Sequence, residues 1–257
     1  MISIFLKCPP LPGAEHRETG MSETTEKTGT QVAPSLRAAP LPPYLVTRYN
    51  GWRATTYQEN RVWYRRLAED GQNPRIMAIA CCDSRVDVNG LFSAETGDIF
   101  LHRNIANVVP PYLPDGDPHG TSAALEYAVS VLRVAHVIIV GHSDCGGVRG
   151  CHQMCSGHAP ELEAKESFVG RWLEILRPGY ERVAGIADPA EAQRALEKET
   201  VVISLENLWD FPFVREAVEA ERLSLHGLWV DIGKGTLEHY LPEAGGFVLV
   251  GAGRSET

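Results

Sequence analysis

The sequence lacks any uninterrupted apolar run close to the roughly 20 residues that a membrane-spanning helix needs. It also lacks an excess of positive charge, because 24 Lys and Arg residues stand against 33 Asp and Glu residues and give a formal net charge of −9. A protein that binds nucleic acid through a broad basic surface usually has the opposite balance. We therefore expect no membrane and no nucleic acid among its partners.

A secretory signal is also missing from the start of the sequence. Residues 1–6 hold only a short apolar stretch, and the positive charge of Lys7 follows that stretch instead of preceding it. We therefore expect a cytoplasmic, reducing compartment, where cysteines bind metals or serve catalysis more often than they form disulfides. Six cysteines are present: Cys8, Cys81, Cys82, Cys145, Cys151 and Cys155.

The first 43 residues differ in composition from the rest of the chain. They are rich in Pro, Thr, Ser, Gly and Glu and contain few large apolar side chains after Leu6. Such a segment cannot bury enough surface to offset the entropy cost of ordering it, so we predict a disordered tail over 1–43, within which Met21 is a plausible alternative start. Residues 44–257 are long enough for a single α/β domain with an N-terminal helical arm.

From residue 44 onward, short apolar runs alternate with amphipathic segments of helical spacing. The predicted strands are 75–80, 98–102, 136–140, 225–232 and 247–250. The predicted helices are 56–68, 121–134 (capped by Thr121 or Ser122), 162–176, 189–199, 201–208 and 213–222. Buried strands interleaved with helices predict an α/β fold with a mostly parallel central sheet flanked by helices.

Two polar segments directly follow two of the predicted strands. Residues 81–85 (CCDSR) follow the first strand, and residues 141–147 (GHSDCGG) follow the third. Sites in open α/β sheets form at the carboxyl ends of strands, so Cys81, His142 and Cys145 are expected to face one crevice. Two thiolates and one imidazole suit Zn²⁺ best, and three protein ligands leave a fourth position open for catalysis.

The first segment also carries a charged pair. Asp83 and Arg85 are two residues apart, so they point to one side of an extended chain. A bidentate pair would keep the Asp83 carboxylate ionised and hold it away from the metal. We expect this carboxylate to orient a zinc-activated water.

Together these motifs resemble the zinc signature of the β-class carbonic anhydrases. The resemblance lies in the C-x-D-S-R pattern of 81–85, in the H-x-x-C pattern of 142–145, which begins 61 residues after Cys81, and in 102–107 (HRNIAN) and 146–148 (GGV). It extends over roughly 44–250, which is nearly all of the globular part.

The resemblance implies reversible hydration of CO2 to bicarbonate and a proton by a zinc-bound hydroxide. It implies that Cys81, His142 and Cys145 hold one Zn²⁺ per chain, that Asp83 accepts a hydrogen bond from the zinc-bound water or hydroxide, and that Arg85 fixes Asp83. Two alternatives remain open from the sequence: a hydrolase of another small linear molecule such as CS2 or COS on the same scaffold, and a non-enzymatic protein with structural zinc.

The resemblance also implies a substrate pocket. Gln72 matches a glutamine that hydrogen-bonds substrate in the plant-type branch of the family. Phe100, Ile105 and Tyr127 match the apolar and aromatic wall of that pocket, and Gly146 matches a backbone N–H donor beside it. A small apolar pocket suits CO2, which is linear, uncharged and poorly hydrated.

One further position separates two branches of the family. In a bicarbonate-inhibited branch the aspartate leaves its arginine and ligates zinc, and a Trp lies three residues before the first zinc cysteine. This chain has Ala78 there and also has Gln72, so we expect the plant-type, open site. The resemblance further implies a homodimer or a dimer-based higher oligomer, with 44–70 packed on the partner.

Several other residues admit two interpretations. Cys151, His152, Cys155 and His158 form a C-H-x-x-C-x-x-H pattern that suggests a second metal site, but the pattern lacks a distant second ligand pair. Cys82 is expected to be a small buried residue at the variable position of the motif. His102 and Arg103 are expected to be structural, and nothing in the sequence selects a proton shuttle from the candidates His119, His226 and His239.

Overall fold

The computed structural model of the chain describes residues 39–114 and 120–251. The predicted tail, with Cys8 and Met21, lies almost entirely outside these residues, as does His119. The described residues divide into two compact units at the junction between Glu59 and Asn60.

The first unit contains two helices, α1 Pro43–Ala54 and α2 Thr56–Glu59. Proline is the first residue of α1, where its missing N–H and fixed φ cost nothing. Among the residues described, α1 buries none of its own side chains. Its large exposed apolar side chains are Tyr44, Leu45, Val46, Tyr49 and Trp52.

The second unit is an α/β structure. Its strands are β1 Ile76–Cys81, β2 Ile99–Asn104, β3 His136–His142, β4 Ser224–Asp231, β5 Thr236–Leu241 and β6 Gly246–Leu249. Its helices are α3 Arg61–Asp70, α4 Val88–Leu91, α5 Gly120–Glu126, α6 Gly146–Cys155, α7 Phe168–Leu173, α8 Arg177–Val183, α9 Pro189–Asp210 and α10 Pro212–Glu219. Shorter helical segments are the 3-10 turns Ile105–Asn107, Pro160–Glu163, Glu174–Leu176 and Pro242–Ala244, and the π-helical continuation of α5, Tyr127–Leu132.

The six strands form one sheet in the order β2-β1-β3-β4-β5-β6. The strands β2, β1, β3 and β4 run parallel, whereas β5 and β6 add antiparallel strands at one edge. This confirms the predicted α/β fold with a mostly parallel central sheet. Because β1 and β3 are parallel neighbours, the two polar segments that follow them meet at one edge of the sheet.

Helix α9 corrects the predicted break between 189–199 and 201–208, because it is one helix of 22 residues. Thr200, at the expected break, is fully buried, and its hydroxyl donates to the carbonyl of Leu196 at 2.9 Å within the helix. The helix packs so closely on the sheet that a Cβ at Gly141 would lie 2.7 Å from Val201 Cγ2. Burial against β3 therefore outweighs the modest helix propensity of this β-branched segment.

Three further differences concern local hydrogen bonds and turns. The helix predicted over 162–176 is interrupted because the Ser167 hydroxyl accepts from Gly170 N at 2.9 Å and begins α7 there. The helix predicted over 56–68 is divided at Asn60 into α2 and α3. Thr121 is not a cap: it lies inside α5 and is buried. Strand β5 was not predicted from the sequence.

Three histidines lie next to one another on β3, β4 and β5. His136 Nδ1 is 3.2 Å from His226 Nε2, and the rings of His226 and His239 are 5.9 Å apart between centroids. Burial, followed by the charges of His136 and His239, lowers the pKa of His226.

We expect this histidine to make the free energy of unfolding depend on pH. Because the folded-state pKa of His226 lies below the unfolded value of about 6.5, the unfolded chain binds more protons as pH falls through that value, and stability is lost. Urea unfolding at pH 7.5 and pH 5.0 should show a smaller loss in His226→Gln than in wild type, with exposed His158→Gln as the control. Equal losses in both variants would contradict the assignment.

Candidate metal centre

Three side chains at the carboxyl edge of the sheet converge. Cys81 ends β1, His142 ends β3, and Cys145 directly precedes α6. Their ligand atoms all lie within 4.8 Å of one another, and Cys81 Sγ is 3.8 Å from Cys145 Sγ. Within 39–114 and 120–251 this is the one set of three or more His, Cys, Asp or Glu side chains with such geometry.

The imidazole of His142 is oriented for metal binding. Its Nδ1 lies 2.9 Å from the carbonyl of Ser143, so Nδ1–H donates to that oxygen and leaves a lone pair on Nε2. The residue is 1% exposed, and Nε2 is buried without a hydrogen-bond partner among the described residues. A buried imidazole nitrogen without a partner, beside two thiols, fits Zn²⁺, which prefers sulfur and nitrogen ligands in this number.

The two thiols contact each other, and their pKa values move in opposite directions. The hydrogen bond from Cys145 is the main reason why the pKa of Cys81 falls to about 4, against the opposing effect of burial. The same pairing, together with burial, raises the pKa of Cys145. Zn²⁺ would take the place of the remaining proton, since a metal binds the thiolate form of both side chains.

Asp83 is held away from the cluster by Arg85. Arg85 Nε donates to Asp83 Oδ1 at 3.0 Å, Arg85 Nη2 donates to Asp83 Oδ2 at 2.7 Å, and the Arg85 backbone N–H donates to Oδ1 at 3.0 Å. These hydrogen bonds hold the pKa of Asp83 well below its usual range. The carboxylate is therefore ionised at neutral pH, and it does not join the three ligands.

Of two neighbouring residues with predicted structural roles, Arg103 fixes the backbone of this segment and His102 contacts α5. Arg103 donates from Nε to the carbonyl of Cys81 at 2.9 Å and from Nη2 to the carbonyl of Asp83 at 2.6 Å. His102 Nε2 lies 2.9 Å from Thr121 Oγ1. Both residues contact protein groups, which agrees with the structural roles predicted for them.

Four of the five predicted substrate-pocket residues lie at three places in the structure. The rings of Phe100 and Tyr127 pack together with centroids 5.9 Å apart, and Tyr127 is 44% exposed. Ile105 lies against the start of α6, where a Cβ at Gly147 would be 2.7 Å from Ile105 Cγ2. Gly146 is the first residue of α6 and is exposed.

Gln72, the fifth predicted pocket residue, takes part in none of these contacts. It is exposed and lies in the segment that joins α3 to β1. Its position leaves the amide accessible from outside the chain.

Cys82 corrects the expectation of a small buried residue, because it is exposed. It lies just beyond the end of β1, and its N–H donates to the carbonyl of Asn104 at 2.8 Å. The backbone thus continues the sheet pairing by one residue while the side chain is already outside the packed layer.

The second cysteine pattern does not form a metal cluster. Cys151 and Cys155 lie on α6 with their sulfurs 3.9 Å apart. His152 packs against Tyr180, with ring centroids 5.4 Å apart, and His158 Nδ1 lies 2.9 Å from Ser156 Oγ. In the part of the chain that the structure describes, the ligand atoms of these four side chains therefore do not converge on one point.

Sequence reasoning missed a buried carboxylate beside the cluster. Glu197, on α9, accepts a hydrogen bond from the backbone N–H of Cys145 at 3.1 Å. It lies 52 positions after Cys145, and no motif marks it. The sequence signal that could have indicated a buried polar pair is the i, i+4 spacing of Gln193 and Glu197, in a helical stretch with many apolar residues.

None of the described helices is both long enough and apolar enough to span a membrane.

Comparisons with known proteins agree with this site. A model of the carbonic anhydrase family matches residues 76–237. Beta carbonic anhydrase 3 of Arabidopsis thaliana is 36% identical over 191 residues, which cover 73% of this chain and 72% of the relative. The solved β-carbonic anhydrase CcaA has a TM-score of 0.73 and 30% identity, over 83% of this chain and 92% of that one. A tetrameric β-carbonic anhydrase of Sordaria macrospora has a TM-score of 0.63 and 30% identity, over 76% and 94% of the two chains. The chain belongs to the carbonic anhydrase family, as a zinc-dependent carbonate dehydratase of the plant-type β class.

Proposed function

We propose that the chain hydrates CO2 reversibly at the centre formed by Cys81, His142 and Cys145, with Asp83 and Arg85 directing the attacking water. The observation that carries the proposal is the ionised carboxylate of Asp83, which Arg85 holds beside the three ligands but outside their cluster. When bound there, zinc supplies a water whose pKa is low enough for attack near neutral pH.

Asp83 is suited to orient that water. The carboxylate has about four lone-pair sites, and three N–H groups of Arg85 occupy three of them. The site that remains, on Oδ2, can accept one hydrogen of the water and turn an oxygen lone pair toward the substrate. Arg85 keeps this geometry because it binds both oxygens of Asp83 through its Nε and Nη2 atoms.

The surrounding side chains supply the substrate site. Phe100, Tyr127 and Ile105 offer an apolar wall that favours a poorly hydrated gas over water. The backbone N–H of Gly146 begins a helix, where N–H groups are free to donate to a bicarbonate oxygen. Gln72 would donate its amide N–H to the other side of the substrate.

Stopped-flow CO2 hydration by the zinc-loaded chain tests the proposed activity. A zinc-dependent rate far above that of buffer is expected, with CS2 and COS as comparison substrates. Hydrolysis of CS2 or COS without CO2 hydration would favour the related hydrolase, and no turnover of any of the three would favour a structural zinc.

The active species is proposed to be a homodimer or a dimer-based oligomer. Helix α1 exposes five large apolar side chains, a number that is unusual for a free surface and typical of an interface. The Sordaria macrospora relative is a tetramer, which supports assembly in this family. Light scattering of the zinc-loaded chain should give a mass of two or more chains, and a monomer at micromolar concentration would contradict it.

Gln72 is expected to act in the active site of the neighbouring chain. Its exposed position between α3 and β1 favours this arrangement. Gln72→Ala should therefore lower kcat/KM about 10-fold, as expected for one lost hydrogen bond to the transition state, while zinc stays bound.

Mixing two variants tests whether the glutamine crosses the interface. Zinc-loaded Gln72→Ala is unfolded and refolded together with Cys145→Ala, which lacks a metal ligand but retains Gln72. Mixed dimers should restore activity above the sum of the separate variants. Activity equal to that sum would place Gln72 in the site of its own chain.

We also propose a reducing compartment, the cytoplasm, because both cysteine ligands must stay as thiolates to hold zinc. Cell fractionation tests this localisation, and recovery in an oxidising compartment would contradict it.

Residues 44–257 are proposed to form one enzyme domain with a helical arm at its start. Calorimetry should then show a single cooperative transition, and two separate transitions would contradict it.

A further inference from the structure

Glu197 is a buried carboxylate that the proposed reaction does not use. It is 2% exposed and accepts hydrogen bonds from three N–H groups. The donors are Cys145 N at 3.1 Å, Gln193 Nε2 at 2.9 Å and Trp229 Nε1 at 3.3 Å. Burial raises the pKa of the Glu197 carboxyl, and the hydrogen bonds from these three donors oppose that rise because they favour the ionised carboxylate.

Glu197 binds the peptide unit that joins Asp144 to Cys145. The N–H of Cys145 and the carbonyl of Asp144 are the two ends of the same peptide plane. Glu197 Oε1 accepts from the N–H end, and Arg85 Nη2 donates to the carbonyl end at 3.1 Å. Asp144 has a φ of 55°, in the left-handed region, so this plane is turned in a way that L-residues rarely adopt by themselves.

A second contact fixes the other side of the same ligand. Gln193 Nε2 also donates to the carbonyl of Cys145 at 3.3 Å. Both backbone polar groups of Cys145 are therefore bound by side chains of α9. Helix α9, which carries none of the three metal ligands, thus constrains Cys145 from both ends of its backbone, beside the hydrogen bond from Arg149 N to the Cys145 carbonyl at 3.0 Å.

We propose that Glu197 is a positioning residue that aligns the zinc ligand Cys145 and, through the Asp144–Cys145 peptide, the Arg85–Asp83 pair. A negative charge at the N–H end of a peptide strengthens its carbonyl as an acceptor, because hydrogen bonds in a chain polarise one another. The hydrogen bond from Arg85 to Asp144 is thereby strengthened, and the same Arg85 nitrogen holds Asp83 Oδ2.

The two halves of this inference are independent. Alignment of Cys145 concerns the metal ligand alone. Alignment of Arg85 and Asp83 rests on the proposed function. Zinc release and the cobalt spectrum test the first half whether or not the chain hydrates CO2, and turnover tests the second.

The test compares three variants of the metal-loaded, full-length chain. Glu197→Ala removes all three hydrogen bonds to the carboxylate, and Glu197→Gln keeps one amide oxygen but turns an NH2 group toward an N–H donor. The matched control is Thr200→Val on the same helix. It removes a buried hydrogen bond whose donor, Thr200, and acceptor, the Leu196 carbonyl, both belong to α9.

Zinc release to a chelator and the thiolate-to-cobalt absorption of the Co²⁺ form are measured for each variant. Glu197→Ala should release zinc about 10- to 100-fold faster than wild type and shift the cobalt absorption, since outer-shell partners of ligands have effects of this size. The zinc-release rate and the cobalt absorption of Glu197→Gln should lie between those of wild type and those of Glu197→Ala. Thr200→Val should match wild type in both measurements. With saturating zinc, kcat of Glu197→Gln should still be lowered.

Two results would overturn the inference. The first is a release rate and cobalt spectrum in Glu197→Gln equal to those of Thr200→Val, even if the melting temperature falls. The second is an equal effect in all variants including Thr200→Val, which would make Glu197 a residue of the fold only. If Glu197→Ala does not fold, Glu197→Gln alone decides between these outcomes.

Discussion

Asp83→Ala is expected to lower kcat by about 100- to 10,000-fold while the chain keeps about one zinc per chain. This range is typical of losing a positioned group that handles a proton in the transition state. Three N–H groups of Arg85 bind the carboxylate and leave one acceptor site for the water, so alanine removes the orienting acceptor without touching any of the three ligands.

The metal site should survive this change for a local reason. The backbone N–H of residue 83 donates to Cys81 Sγ at 3.4 Å, and alanine retains that N–H. Arg85 loses its carboxylate partner, but half of its side chain is exposed and water can solvate it. Zinc analysis and stopped-flow kinetics on the same sample check both halves of the prediction.

Asp144→Asn provides a matched control for Asp83→Ala. It removes a neighbouring exposed carboxylate but leaves the backbone carbonyl that Arg85 contacts, and asparagine tolerates the positive φ at this position. Turnover within about threefold of wild type is expected, since an exposed charge has little effect. Loss of zinc in Asp83→Ala would instead mean that Asp83 holds the site together, and equal losses of turnover in both variants would point to overall charge.

The parts of the site that could be predicted are local in sequence. Asp83 and Arg85 are two residues apart and Cys145 is three after His142, so short-range geometry brings each pair to one side of the chain. Strand pairing was needed to bring the two pairs together. That step could be predicted because both segments follow apolar runs, and neighbouring parallel strands end at the same edge of a sheet.

The parts that could not be predicted depend on contacts between distant segments. In the sequence, Glu197 looks like an ordinary surface residue of a helix. Only the packing of α9 onto β3 and β4 places it next to Cys145. Thr200 lies between the two helices predicted over 189–199 and 201–208, yet it is buried and its hydroxyl is hydrogen-bonded within one continuous helix. Cys82 differs for the opposite reason: it lies one residue beyond the strand, where burial ends.

Cys145→Ala is expected to remove zinc and reduce CO2 hydration to the uncatalysed rate. The remaining pair, Cys81 and His142, supplies two of the three ligands, and an open catalytic zinc site needs three protein ligands to hold the ion. Metal analysis after dialysis against a mild chelator should give near zero zinc for this variant and about one zinc per chain for wild type.

Cys151→Ala is the matched control, because it makes the same change of a thiol to a hydrogen atom at another buried position close to the site. Cys151 is fully buried on α6, the helix that Cys145 precedes, but its sulfur lies near Cys155 and outside the cluster. It should therefore keep both zinc and turnover despite some loss of stability. If both variants lose zinc, the effect comes from damage to α6, and if Cys145→Ala retains zinc and activity, the three residues are not the catalytic centre.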